Sequence, residues 1–284
     1  MSDDLSNWLG KEETRQDVIA LAPARRMLAT LNDVTTDLSE GSSLPPLWHW
    51  LYFLSNAPMQ ALGRDGHPER GGFLPPVELP YRMFAGGQFT FHLPLLIGKE
   101  AQRESKILSI DRKEGRSGPL VFVNVCHQVS QDGKLCLQER RDIVYRGVNS
   151  SQKVVSPAAI QSELDPRAIV RTITPDPVLL FRFSALTFNG HRIHYDRPYA
   201  MTEEGYPGLV VHGPLLAVLL MELIRKHVEG SVQTFMFRGR VPLFDNAPFR
   251  IVAIPDGECV ALRAEDSNGT TAAEAEVRLN KSEA

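Results

Sequence analysis
The sequence is short of cysteine, of net charge and of long apolar runs. Its three cysteines, Cys126, Cys136 and Cys259, are an odd number without metal-ligand spacing. That excludes a disulfide framework and a cysteine-built zinc site, and they read as buried free thiols in a reducing compartment. Against 34 Asp plus Glu stand 31 Lys plus Arg, a formal charge of -3. There is thus no overall electrostatic case for binding nucleic acid or an acidic membrane surface, and any anionic ligand must be met locally. The most apolar run, Pro214 to Ile224, is too short to span a bilayer, and the polar, acidic stretch Met1 to Val18 contains no signal-peptide core. The chain reads as cytoplasmic.

A length of 284 residues suits two similar domains, or one fold duplicated and fused. Residues 7–33 carry apolar positions at helical spacing and read as a helical lead-in. The aromatic run Leu47 to Leu54, opened by Pro45 or Pro46, reads as a core helix. Residues 55–80 hold Gly63, Gly66, Pro68, Gly71, Gly72, Pro75 and Pro76, which favours a long loop of the kind that often carries function. Beyond Arg82 to Gly87, with a turn at Gly86-Gly87, the alternation of Val121, Val123, Val125, His127 and Val129 marks a strand, and Asp132-Gly133 turns it into Lys134 to Tyr145.

Residues 147–175 suit a linker, which leaves residues 1–146 and 176–284 as the two halves. In the second half, Leu179 to Phe188 reads as a strand and Pro214 to Val228 as a strongly apolar helix. Thr234 to Phe244 and Phe249 to Ile254 follow as strands, and Asn268-Gly269 joins Cys259 to Ala264 with Thr271 to Leu279. Each half offers an apolar helix followed by antiparallel strands that close in a tight hairpin, an α+β plan with a curved sheet wrapped around a helix.

Three of the eight histidines fall between His191 and His212. His191 and His194 lack the further ligands that a metal would need within local spacing, so no metal is expected. Their chemical interest comes from Gly213-Pro214 next to them: helix-start amides carry partial positive charge, and a glycine there lets a ligand carbonyl approach the backbone. The plainer alternative is a set of turn and surface residues.

The run Phe188-Asn189-Gly190-His191-Arg192-Ile193-His194-Tyr195-Asp196, followed by Val211-His212-Gly213-Pro214-Leu215, resembles the signature of MaoC-like hydratases and dehydratases. Arg82-Met83-Phe84-Ala85-Gly86-Gly87 and Glu139 to Arg146 resemble the first half of a branch containing mitochondrial hydroxyacyl-thioester dehydratases and bacterial hydratases of C5 dicarboxylyl-CoA. The resemblance implies a double hotdog with the pantetheine arm of an acyl-CoA entering between the halves. It places the catalytic motif in the second half alone and substrate or CoA binding in the first. Coenzyme A is then part of the substrate, no separate cofactor is implied, and a homodimer is expected. One departure stands out: many (R)-specific enoyl-CoA hydratases have Asp where this chain has Asn189, and Asn where it has His191.

Hydration of an unsaturated thioester needs a base for water, an acid for the α-carbon and donors for the enolate oxygen. His194 is the candidate base or acid, Asn189 the water-orienting residue and the Gly213 amide the enolate donor. Asp196 either orients an imidazole or acts as a second acid/base group. His191 either replaces the missing Asp or pairs with backbone in the turn, and His212 supports the site. Strand alternation sets Met236, Arg238 and Arg240 on one face, a candidate phosphate contact or simply a solvated face, and Arg82 is a candidate for a substrate carboxylate. The leading expectation is a hydratase acting on itaconyl-CoA or mesaconyl-C4-CoA. The alternatives are a 3-hydroxyacyl-thioester dehydratase of fatty acid metabolism and a non-catalytic thioester-binding module.

Overall fold
The computed structural model of the protein describes residues 5–115, 118–147 and 165–280. In chain order the elements are β1 (Glu12–Val18), α1 (Leu21–Thr30), β2 (Tyr81–Phe91), β3 (Glu100–Gly115), β4 (Gly118–Gln131) and β5 (Lys134–Arg146). There follow β6 (Ile169–Ile173), α2 (Pro177–Leu186), α3 (Arg197–Thr202), α4 (Gly213–His227), β7 (Val232–Gly239), β8 (Phe249–Asp256), β9 (Cys259–Glu265) and β10 (Thr271–Leu279). The strands form one antiparallel sheet in the order β1-β3-β4-β5-β2-β7-β10-β9-β8-β6. The order read outward from the middle is the same in both halves, since β2, β5, β4, β3, β1 correspond to β7, β10, β9, β8, β6. This is the double-hotdog α+β plan, with the two sheets joined edge to edge.

The join is made by β2 and β7, where Gly86 faces Arg238 and Phe89 faces Phe235. A Cβ on Gly86 would come 2.4 Å from the Phe237 carbonyl oxygen, so the halves close only over a residue without a side chain. The expected turn at Gly86-Gly87 is therefore corrected: both glycines lie inside β2, beside a register shift between Phe84 and Gly86 in its pairing with β5. The hairpin at Asp132-Gly133 folds as read, whereas Asn268-Gly269 lies in a longer loop, residues 266–270, between β9 and β10. Asp132 and Gly133 both have positive φ (49° and 72°), which matches the twist of the flanking strands.

α4 is the central helix. Every residue from Leu215 to Ile224 is buried, Glu222 included, and the helix packs against β2 of the first half as well as β8, β9 and β10 of the second. The matching helix expected at Leu47 to Leu54 is reduced to one 3-10 turn, Trp48–Leu51. Its flanks explain why: Leu47 (φ 70°) and Phe53 (φ 56°) are both left-handed, and burial of Leu47, Trp48, Leu51 and Phe53 in the shared core offsets that local strain.

Two other expectations are corrected. Within the lead-in, residues 12–18 are a strand that edges β3, not helix. Residues 179–188 are mostly helix, because Asp176 caps α2 by accepting from the Val178 and Leu179 amides and Pro177 opens it. The expected linker falls largely outside the described residues, and of its described part Ile169–Ile173 is the edge strand β6. All three cysteines are free, Cys136 buried and the other two half-buried. No helix among the described residues is long and apolar enough to cross a membrane.

Candidate active site
The motif begins where α2 ends. Phe188 takes a left-handed conformation (φ 48°) and the Asn189 amide donates to the Ser184 carbonyl, so the chain reverses. The Asn189 side-chain oxygen accepts from the His191 amide at 3.1 Å, closing a turn of the kind that Asn favours. His191 then leads into a 3-10 turn, Arg192–His194, which the Ile193 carbonyl ties to the Val210 amide. Segment 210–213, running into α4, is thereby laid alongside the motif.

His194 is buried, and its Nδ1 lies 2.7 Å from the Val210 carbonyl oxygen. A carbonyl can only accept, so Nδ1 carries the proton and, in the neutral ring, Nε2 is left with a lone pair. Burial, then the neighbouring His212 and His191, push its pKa well below the ordinary imidazole value. The ring is neutral and fit to be a base. It stacks on His212, which is fully buried and shares a 2.8 Å hydrogen bond between Nε2 and the Ser184 hydroxyl. His212 immediately precedes α4, so this stack sets His194 beside the free amides of the helix start at Gly213. Phe84 of β2 covers that glycine: a Cβ there would meet the Phe84 ring at 3.1 Å.

The other candidates are distributed as follows. Asp196 caps α3 by accepting from the Tyr199 amide, and it pairs with Arg192 at 2.8 Å, which lowers its pKa. His191 is buried, with Nε2 3.5 Å from a Glu204 carboxylate oxygen. Arg238 and Arg240 are exposed, on the sheet face opposite Phe237, and Phe237 stacks on Phe84 over the site. Arg240 pairs with Glu274. Arg82 lies within electrostatic reach of His67 and of Tyr145, and no carboxylate among the described residues pairs with it.

Sequence reasoning missed Asp65 and His67, in the Gly/Pro-rich loop of the first half. The fold brings them to His191: the His67 and His191 rings are 4.1 Å apart, and donor atoms of Asp65, His67 and His191 lie within 4.8 Å of one another. This supplies the neighbours that local spacing around His191 lacked. The only available signal was the loop's composition, since nothing in the spacing connects residues 65 and 191. A cleft of about 460 Å³, lined by Leu44, Phe91, Leu95, Met221 and Ile224, lies toward the opposite end of α4 and takes no part in this arrangement.

The family described as hydroxyacyl-thioester dehydratase type 2 matches residues 47–245. A Chloroflexus aurantiacus protein named mesaconyl-C(4)-CoA hydratase is 53% identical over 278 residues, 98% of this chain and 99% of its own. Among solved structures, a MaoC-like dehydratase superposes with TM-score 0.71 at 15% identity, covering 98% of this chain and 100% of its own. A Mycobacterium tuberculosis protein described as a double hotdog gives 0.56 at 12% identity over 96% of each chain. By that family match and that identity over nearly the whole chain, the chain belongs to the hydroxyacyl-thioester dehydratase type 2 family of MaoC-like double-hotdog proteins.

Proposed function
We propose that the protein is an acyl-CoA hydratase that adds water across the double bond of a C5 dicarboxylyl-CoA, mesaconyl-C4-CoA or its isomer itaconyl-CoA, to give citramalyl-CoA. The observation that carries the reading is the neutral His194, its Nε2 lone pair set beside the start of α4. In mesaconyl-C4-CoA the carbon that water attacks also bears the free carboxylate, so a cation is required next to the base rather than at the end of a long tunnel. Arg82, within electrostatic reach of the histidine cluster, meets that requirement. The 53% identity to a protein named for this reaction supports the same substrate.

In this reading, with mesaconyl-C4-CoA, whose double bond is conjugated with the thioester, His194 Nε2 accepts a proton from water as the water oxygen bonds to the β-carbon. The π pair moves onto the thioester oxygen, where the Gly213 amide stabilises it. The imidazolium then returns the proton to the α-carbon, which restores the neutral ring. Phe84 keeps water from the amide and so strengthens that contact. The pantetheine arm runs between the halves near the β2–β7 join, with Arg238 available to phosphate on the outer face and Arg240 able to join it on leaving Glu274. The same reading makes the protein a cytoplasmic homodimer that needs no separate cofactor.

The test is to incubate the protein separately with mesaconyl-C4-CoA, itaconyl-CoA and crotonyl-CoA and follow the gain of one water by mass spectrometry. Hydration of the dicarboxylyl thioesters, reduced about 10²–10⁴-fold in His194→Ala with thioester affinity kept, is the expected result. Preference for crotonyl-CoA would favour the second reading, a 3-hydroxyacyl-thioester dehydratase, which the family description supports. Tight binding without turnover would indicate a non-catalytic module.

A further inference from the structure
The loop of the first half is clamped onto the catalytic turn. The Arg192 amide donates to the Asp65 carbonyl at 2.9 Å, and the Arg192 guanidinium donates to the Arg64 carbonyl at 3.2 Å. Arg64 in turn pairs with Glu203 at 2.6 Å. Gly66 and Gly190 meet back to back: a Cβ on Gly66 would stand 1.9 Å from the Gly190 carbonyl oxygen, and one on Gly190 would stand 2.6 Å from that of Gly66. Two glycines 124 positions apart in sequence thus allow two backbones to touch where no other residue pair would.

What the clamp delivers is a carboxylate–imidazole pair. His67 Nδ1 is 3.0 Å from an Asp65 carboxylate oxygen, and the other Asp65 oxygen accepts from the His67 amide at 3.0 Å. Burial keeps the His67 ring neutral, and its hydrogen bond and neighbouring imidazoles hold Asp65 ionised against the opposing effect of burial. An ionised carboxylate can only accept, so the His67 proton sits on Nδ1 and Nε2 keeps a lone pair, as at His194. Around this pair lie His191, His194, Arg82, Arg192 and Tyr199, with Glu204 beside His191.

Within the motif, the Asp196 carboxylate is taken up by Arg192 and the Tyr199 amide. Water aimed at a carbon gives one hydrogen up to the base and is oriented through the other, which stays on oxygen and donates a hydrogen bond to a second acceptor. Position 189, where many (R)-specific enoyl-CoA hydratases have Asp, holds an Asn whose oxygen closes its own turn on the His191 amide. We propose that His67, fixed by Asp65, is the second water-binding residue of the hydration site, contributed by the half expected to be without catalytic groups. This rests on the hydratase reading. His67 Nε2 accepts the hydrogen that stays with the attacking oxygen, while His194 Nε2 takes the one that leaves. No bond to His67 is made or broken, and the atom balance of the reaction is unchanged.

The test has one arm that does not need turnover. In the wild-type protein, nitrogen NMR of the imidazoles is expected to show His67 protonated at Nδ1 and bare at Nε2, and to show the Nε2–H tautomer entering in Asp65→Asn. A wild-type His67 protonated at Nε2 overturns the proposal even if no thioester is hydrated, an outcome that would by itself sink only the functional reading. In the kinetic arm, His67→Leu is expected to lower kcat about 10²-fold with KM within a few-fold, and His67→Gln, which keeps an acceptor oxygen, to recover part of that loss. An unchanged kcat in a folded His67→Leu protein overturns it. So does activity lost on dialysis against a chelator and restored by a divalent cation, which would assign Asp65, His67 and His191 to a metal instead.

Discussion

The ring of His194 lies on that of His212, centroids 3.6 Å apart and 18° from parallel. Two buried imidazoles in that contact cannot both be imidazolium, and both are pushed down: burial, then His191, brings the His212 pKa down to about 3, and burial, then His212 and His191, holds that of His194 well below the ordinary imidazole value. The stack therefore keeps His194 in the neutral form that can accept from water. A base whose pKa is depressed stays active as pH falls until its own titration is reached. The acid limb of kcat/KM should accordingly lie well below the ordinary imidazole value. A profile between about pH 5 and 8 checks this, and half-loss of activity near 6.5, as for an unperturbed imidazole, would count against the assignment.

Arg82 should discriminate substrates by charge. If it meets the carboxylate on the attacked carbon, Arg82→Met removes a charge-assisted hydrogen bond of about 2 kcal/mol, roughly thirtyfold in kcat/KM, for mesaconyl-C4-CoA. Crotonyl-CoA, which has no such carboxylate, should be affected little. The ratio of the two losses is the quantity to measure, because a general disturbance of β2 would lower both.

How much of this could be read in the sequence depends on the range of the interaction. Strand alternation at Val121 to Val129, the Asp132-Gly133 turn and α4 are local patterns, and they fold as read. Residues 179–188 misled because an apolar run of that length suits strand and helix equally, and the deciding Asp176-Pro177 cap lies outside that run, just past the expected linker. The Gly86-Gly87 pair was taken for a turn because glycines usually make one, whereas here they admit the neighbouring strand. His194 and Gly213 came from a contiguous motif. Asp65 and His67 reach His191 only through the chain's tertiary path, and no spacing rule connects them.

The glycine contact that carries Asp65 and His67 to the motif offers a separable prediction. Gly66 has φ of 86° and its missing Cβ would overlap the Gly190 carbonyl, so Gly66→Ala must push the loop off the catalytic turn. The loop contributes little to the main core, so the unfolding midpoint should fall only slightly, by the equivalent of about 1–2 kcal/mol. Turnover should fall more than tenfold, in keeping with the cost of small displacements at a site. Turnover left intact in Gly66→Ala would mean that the clamp is structural only.

At the other end of α4, Asp33 predicts the acid stability of the fold. Its carboxylate has no exposed surface, pairs with Arg225 and, at 3.4 Å, with Lys226, and accepts from the Thr35 and Thr36 hydroxyls. Arg225 also pairs with Glu222 at 2.6 Å, so one arginine joins the lead-in segment to the central helix. Burial opposes the charge on Asp33, but these hydrogen bonds outweigh it and hold the carboxyl well below the usual carboxylate range. The folded state therefore prefers the ionised form more than the unfolded chain does. Its contribution is complete above the unfolded carboxylate pKa, about 4, and is lost progressively as pH falls below that toward the depressed folded value. Asp33→Asn keeps the shape and removes the charge. It should be less stable at neutral pH by about 2 kcal/mol, and its denaturation midpoint should decline less steeply on acidification than that of the parent. Parallel declines in the two proteins would place the acid sensitivity elsewhere, with the buried Glu139 beside His49 and Arg141 the next group to test.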